Sequence, residues 1–357
     1  MTIGIGILGA GAIAQVHAQG IADAGGRLVG FCDLDQKKAQ QAGGQWDAQA
    51  WSSVEAMLGC DEVEAVVVAV PNAAHAPMAI AAMEAGRDVL LEKPMAMAAA
   101  ECRDILAVRD RLNRRLQVGF VCRFAATVQA ARRHIDAGRL GRIYHARAVM
   151  LRRRGIPGLG RWFTDRARSG GGVMIDLGPH LVDLILHLCG RPDVSRVSAS
   201  TSSCFGHPPR GYRFAEMWSG PPNLDGVFNV DDSASALLRC AHGPTIMLET
   251  SWASHLPDGA IADGVTLFGE EGAAHFDIWG NAVTFGTQFD DEVVDVTHPI
   301  GADEGWGTAF RREHECFAAF CAGGDPGPSG EDGLGVQRVL DAMYRSAEEG
   351  VEVEVSR

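Results

Sequence analysis

The sequence predicts an α/β protein in two parts. Residues 1–122 should form a doubly wound parallel sheet, and residues 123–357 an α+β domain with a mostly antiparallel sheet. Three observations carry this expectation. The first third of the chain alternates short β-type runs with Ala-rich helical stretches, the pattern of strand–helix–strand units. The run Ala65–Val70 is apolar without interruption, as a strand covered on both faces should be. Beyond about residue 190, β-type runs follow one another without crossover helices, which points to antiparallel neighbours.

The elements follow in order. Strands are expected at Ile3–Leu8, Leu28–Cys32, Ala65–Val70, Val89–Leu91 and Leu116–Phe120, with helices near 12–24, 34–42, 74–85 and 97–112. A helix near 124–137 and a turn at Ala137–Gly141 lead into a strand at Arg142–Leu151. A helix over about 174–188 precedes strands at 194–203, 227–240, 244–253, 263–269, 273–278 and 281–285. Helices near 308–321 and 330–349, free to pack on either domain, and a strand-like Val351–Val355 end the chain. The Pro- and Gly-rich stretch 204–226 reads as a long irregular loop, a kind that often carries function.

Composition narrows the function classes. The 357 residues suit about two domains at roughly 150 residues each. With 46% hydrophobic and 22% charged residues, disorder and a small disulfide scaffold are excluded. The net charge of −13 argues against nucleic acid and anionic membrane surfaces as partners. No apolar run approaches a membrane span, and the apolar start MTIGIGILGAGAIA lacks the basic flank of a signal peptide. Nine cysteines without a C-x-x-C pair read as reduced core residues of a cytoplasmic protein, with no metal site expected.

Four motifs carry chemistry. Gly9-Ala10-Gly11-Ala12-Ile13-Ala14 fits G-x-G-x-x-G/A between a strand and a helix. Gly9 makes the tight turn, Gly11 lets a pyrophosphate approach, and the N–H groups at Ala12 and Ile13 face its oxygens. Asp33 ends the second strand, where a carboxylate accepts from a ribose diol and repels a 2′-phosphate, so NAD is expected over NADP. Pro71, Asn72 and His75 follow the third predicted strand at its carboxyl end, where such sheets bind ligands; alternatively, His75 caps a surface helix. Glu92-Lys93-Pro94 follows the next strand and should face the crevice. Lys93 there either donates to a substrate hydroxyl or forms a solvated ion pair.

The fourth motif is Gly170-Gly171-Gly172-x-x-x-Asp176-x-x-x-His180. On one helix, Asp176 and His180 are neighbours, and Asp183 and His187 continue the polar stripe among apolar faces. A histidine beside a carboxylate is a candidate general acid–base, or else a satisfied buried polar pair. The arginine-rich segment Arg142–Arg168 either binds an anionic substrate group or lies along a solvated strand edge.

With these pieces in this order, the sequence resembles the glucose–fructose oxidoreductase / inositol dehydrogenase / rhizopine-catabolism (Gfo/Idh/MocA) family. The resemblance rests on GAGAIA at 9–14, Asp33, PNAAH at 71–75, EKP at 92–94, GFVCRF at 119–124 and RWFTDRARSGGGVMIDLGPH at 161–180. It implies an N-terminal Rossmann domain and a C-terminal substrate and oligomerisation domain with a large open sheet. That sheet would pair subunits into a homodimer or homotetramer. It implies an NAD(P)-dependent dehydrogenase acting on a sugar, polyol or sugar derivative. Lys93, Asp176 and His180 would be catalytic and would also contact substrate, with Arg123 and Trp162 as further substrate contacts. Pro71, Asn72, His75, Glu92 and Lys93 would line the cofactor's path. The resemblance leaves two alternatives. One is a closed-cycle enzyme that retains NAD, for glycoside hydrolysis or hydride exchange between sugars. The other is a non-catalytic NAD-binding regulator.

Overall fold

The structure is a computed structural model, and it describes residues 3–206, 213, 217–257, 260 and 263–356. The chain divides into two compact units. One comprises Met1–Val121 with Gly307–Gln337, the other Cys122–Trp306 with Arg338–Arg357. The segment 307–337 therefore leaves the contiguous division at 122/123 and returns to the first unit.

The first unit is built from β1 (Gly4–Leu8), α1 (Ala12–Asp23), β2 (Arg27–Cys32), α2 (Gln36–Trp46), β3 (Gln49–Trp51), α3 (Val54–Leu58), β4 (Ala65–Val68), α4 (His75–Glu84), β5 (Asp88–Glu92), α5 (Ala99–Leu112) and β6 (Leu116–Gly119). Its six strands are all parallel, in the order β3-β2-β1-β4-β5-β6. The order reverses between β1 and β4, and the crevice at such a switch point lies beyond the carboxyl ends of the strands. Val66–Val68 and Val89–Leu91 are fully buried, as a sheet covered on both faces requires. The β3 strand and α3 were not expected, because three residues flanked by polar ones carry no readable period.

The second unit begins with α6 (Ala126–Asp136), β7 (Ile143–Leu151), α7 (Arg166–Ser169), α8 (Val173–Asp176) and α9 (Gly178–Leu188). It continues with β8 (Val194–Ser202), β9 (Ser233–Cys240), β10 (Thr245–Ser251), β11 (Gly264–Gly269), β12 (Gly272–Phe276), β13 (Ala282–Phe289) and β14 (Glu292–Pro299). The chain closes with α10 (Trp306–Cys321), α11 (Gly330–Glu349) and β15 (Val353–Glu354). The nine-stranded sheet runs β14-β13-β12-β11-β7-β10-β9-β8-β15, antiparallel except for the parallel pair β7–β10. Its register makes one face a core. Leu238, Ile246, Ala146, Leu267, Ala274 and Phe285 lie in one buried row across neighbouring strands. The adjacent row on the other face, Leu237, Met247, Arg147, Thr266, His275 and Thr284, is not buried. This is the period-two consequence of covering one face with α6 and α9.

Two departures from the expected elements matter for the site. The helix expected over 174–188 is broken into α8 and α9 at Leu177, because Pro179 has no N–H for the carbonyl of Ile175. Asp176 therefore ends one helix and His180 lies in the first turn of the next, not on one continuous face. The strand expected over 227–240 begins only at Ser233, because Asp231 and Asp232 bend away to bind backbone N–H groups elsewhere. Of the expected loop 204–226, residues 207–212 and 214–216 lie outside the described residues.

Candidate active site

In the first unit, the parallel strands bring the predicted cofactor residues to one edge. Gly9 follows β1 at φ +102°, where a side chain is strained, and a Cβ would collide with the carbonyl oxygen of Ala69. Its N–H donates to the Cys32 carbonyl at 2.7 Å, tying the turn to the end of β2. A Cβ at Gly11 would meet open space, and the N-cap of α1 carries no side-chain hydrogen bond. The first N–H groups of α1, at exposed Ala12 and half-buried Ile13, thus have no side-chain acceptor, which suits a pyrophosphate. Asp33 is oriented from two sides: Oδ2 accepts from Ala10 N–H at 3.0 Å and Oδ1 from Asp35 N–H at 2.9 Å. Each oxygen has a second lone pair for a ribose hydroxyl. These residues fit a dinucleotide.

The other crevice residues divide in their roles. Pro71 is half-buried and Asn72 buried in the turn after β4. His75 is buried, with Nδ1 2.6 Å from the Pro94 carbonyl and Nε2 2.9 Å from the Val70 carbonyl. It therefore staples the two turns together from behind, and burial holds its pKa below the ordinary value. Glu92, expected to face the crevice, instead turns inward as the buried last residue of β5. Its Oε1 meets His17 Nε2 at 2.9 Å, and Oε2 accepts from the Lys93 backbone N–H at 2.9 Å. His17 Nδ1 lies 3.0 Å from His314 Nε2. Lys93 is half-buried, and its peptide bond to Pro94 is cis.

In the second unit, Asp176 and His180 flank the break between α8 and α9. Asp176 is buried, and Oδ2 accepts from the indole N–H of fully buried Trp252 at 2.9 Å. His180 is half-buried, with Nδ1 3.5 Å from Cys122 Sγ. Asp231 fixes the glycine turn ahead of them: Oδ1 accepts from Gly172 N–H at 2.9 Å and from the Tyr344 hydroxyl at 3.0 Å, and Oδ2 from Met174 N–H at 2.8 Å. A Cβ at Gly171 would strike the Tyr344 hydroxyl and one at Gly172 the Asp231 carbonyl, so both glycines serve this close approach. Burial first, then the Asp231 charge, push the Tyr344 hydroxyl well above its ordinary pKa, so it acts as a donor.

Arg123, expected at the substrate, is spent on structure. Its guanidinium grips Asp183 through Nε at 2.8 Å and through a second, short N–H bond, with both side chains buried. Asp183, predicted as part of the polar stripe, is thus the anchor of α9. Trp162 is half-buried and stacks on Phe163 at 3.8 Å, and Phe163 meets Trp218 edge-on at 5.4 Å. Thr164 Oγ1 also donates to the Val227 carbonyl at 2.7 Å. The stretches 158–166 and 217–229 are therefore one connected structure. Within the arginine-rich segment, Arg142 pairs with Glu270 and Arg147 with Glu249 on the sheet surface.

Sequence reasoning missed Trp252, Asp231, Tyr344 and Cys122. The doublet Asp231-Asp232 before an apolar strand was a capping signal, and a Trp in the run ETSWAS needs a partner for its N–H. The partners lie 76 residues from Trp252 and 113 between Asp231 and Tyr344, too far for local pattern to show. Among the described residues there is no cluster of three metal-ligating side chains, and no single helix is long and apolar enough to cross a membrane.

Comparison with known proteins identifies the family. The family description "Oxidoreductase family, NAD-binding Rossmann fold" matches residues 3–120, and "GFO/IDH/MocA C-terminal domain" matches residues 128–275. The chain is similar to the D-glucoside 3-dehydrogenase of Escherichia coli (strain K12), 30% identical over 98% of this chain and 97% of that protein. It is 26% identical to an inositol 2-dehydrogenase of Rhizobium meliloti (strain 1021), over 100% of each. A solved levoglucosan dehydrogenase in complex with NADH and levoglucosan superposes with a TM-score of 0.84 over 100% of both chains at 24% identity, a likeness of fold. The chain is a member of the Gfo/Idh/MocA family of oxidoreductases, with an NAD-binding Rossmann domain at its N-terminus.

Proposed function

We propose that the protein is a dehydrogenase that oxidises a secondary hydroxyl of a sugar, polyol or sugar derivative, with NAD as the partner in hydride transfer. The observation that carries this reading is the arrangement of Asp176 and His180 around a helix break that Pro179 creates, behind a glycine turn that Asp231 holds. The glucoside and inositol dehydrogenases among its relatives support a polyhydroxylated substrate. NAD, when bound, supplies the acceptor for hydride leaving carbon. The chain's own residues do the rest. Gly9, Gly11, Ala12 and Ile13 receive the pyrophosphate, Asp33 the adenosine ribose, and Pro71, Asn72 and Lys93 the path onward, with Glu92 and His75 behind it.

His180 takes the hydroxyl proton, and Lys93 donates to the same oxygen and stabilises its developing negative charge. Asp176 accepts from a neighbouring hydroxyl and orients the ring. Trp162 contributes an apolar face on the substrate side. We assign the open face of the nine-stranded sheet to subunit pairing, as a homodimer or homotetramer, and the cytoplasm as the compartment for its nine free cysteines. Steady-state turnover tests the roles. Lys93→Met and His180→Ala should each lower kcat by about 10²-fold or more, with NAD binding retained. Wild-type turnover in either variant would remove that residue from the mechanism.

A further inference from the structure

We propose that Trp252 is a positioning residue for the reaction, its buried indole N–H holding Asp176 as a hydrogen-bond acceptor and so setting the protonation state in which that carboxylate meets substrate. This rests on the reading of Asp176 given above. The indole N–H can only donate, so Asp176 Oδ2, 2.9 Å away, must present a lone pair. A donor aimed at a carboxylate favours its charged form, more strongly where water is excluded. Trp252 is fully buried and Asp176 is 6% exposed, so water does not compete freely for this bond.

The donor is also fixed in place. The Trp252 backbone N–H donates to the Asp232 carbonyl at 2.9 Å, and the Ala253 N–H donates to Ser251 Oγ at 3.1 Å. Ionisable groups on the elements around α8 make bonds of their own. Asp231 accepts from Gly172, Met174 and Tyr344. Asp232 accepts from the Cys204 and Phe205 N–H groups. Asp183 grips Arg123, and His180 Nδ1 faces Cys122. Trp252 thus makes Asp176 an acceptor for a substrate hydroxyl and leaves proton removal to His180.

The full-length NAD-loaded protein, labelled with 13Cγ-aspartate, tests this by NMR titration, with Asp176→Asn identifying the Asp176 signal. In Trp252→Phe the Asp176 midpoint should rise by about one pH unit, and the acidic limb of kcat/KM should move with it. If Trp252→Phe fails to fold, β-(3-benzothienyl)alanine at position 252 keeps the indole's shape without its N–H, and the same shift is expected. An unchanged Asp176 midpoint in the variant that folds overturns the proposal. Wild-type turnover by Asp176→Asn would instead overturn the catalytic reading of Asp176, whichever way the titration comes out.

Discussion

At the scale of single residues, the least expected feature is the ionisable cluster inside the first unit. Glu313 is fully buried, neither of its carboxyl oxygens has a hydrogen-bond partner, and burial, then the nearby Glu92, push its pKa well above 4.5. His314 is equally buried, and burial, then His17, push it well below 6.5. The two act on stability in opposite directions. Folded His314 binds fewer protons than the unfolded chain, so its contribution is present above pH 6.5 and is lost as pH falls below it. Folded Glu313 holds a proton that the unfolded chain releases, so its contribution is present below pH 4.5 and is lost as pH rises from there. Glu313→Gln should therefore raise Tm relative to wild type increasingly on the alkaline side, and His314→Gln should flatten the acid side. Melting curves across pH that run parallel for all three proteins would show that these groups do not titrate as described.

The same scale shows what one sequence reveals. Gly9, Gly11 and Asp33 were readable because their partners are local or follow a fixed spacing along strand, turn and helix. The roles of Glu92, His75 and Arg123 were not. Each is a charged or polar residue whose partner, at His17, at Pro94 or at Asp183, is set by tertiary packing.

At the scale of elements, the glycine-led turn is a fitted joint. Gly171 and Gly172 have no side chain because Tyr344 and Asp231 occupy that space, and Asp231 in turn caps α8. Asp231→Asn should cost about 1–3 kcal/mol, since one of the two caps loses its acceptor, and should lower kcat more than it changes NAD binding. Gly171→Ala should cost a similar 1–3 kcal/mol by overpacking. Thermal melts and kinetics check both. A variant with wild-type Tm and kcat would show that the joint does not hold the site. The order of strands and helices was legible here because apolar period and crossover pattern are local. The break at Leu177 was foreshadowed by Pro179, but the length of the apolar run suggested a single helix. The charged edge strand β14 escaped notice because alternation with Glu292 and Asp295 resembles a polar loop.

At the scale of the whole molecule, the open row Leu237–Met247–Arg147–Thr266 crosses the centre of the large sheet, and Met247 is 41% exposed. The proposed subunit pairing assigns this open face to a second copy. Met247→Asp should shift the solution mass toward a monomer in light scattering, and an unchanged oligomer would place the interface elsewhere. The proposed activity is hydride transfer from a sugar or polyol hydroxyl. It is met most directly by absorbance at 340 nm, with purified protein, NAD or NADP, and a panel of glucosides, free aldoses and inositols. NADH should form with at least one of these classes, and NAD should be preferred over NADP, as Asp33 requires. Firm binding of NAD with no reduction by any of them would contradict a dehydrogenase and favour a closed cycle that retains its cofactor.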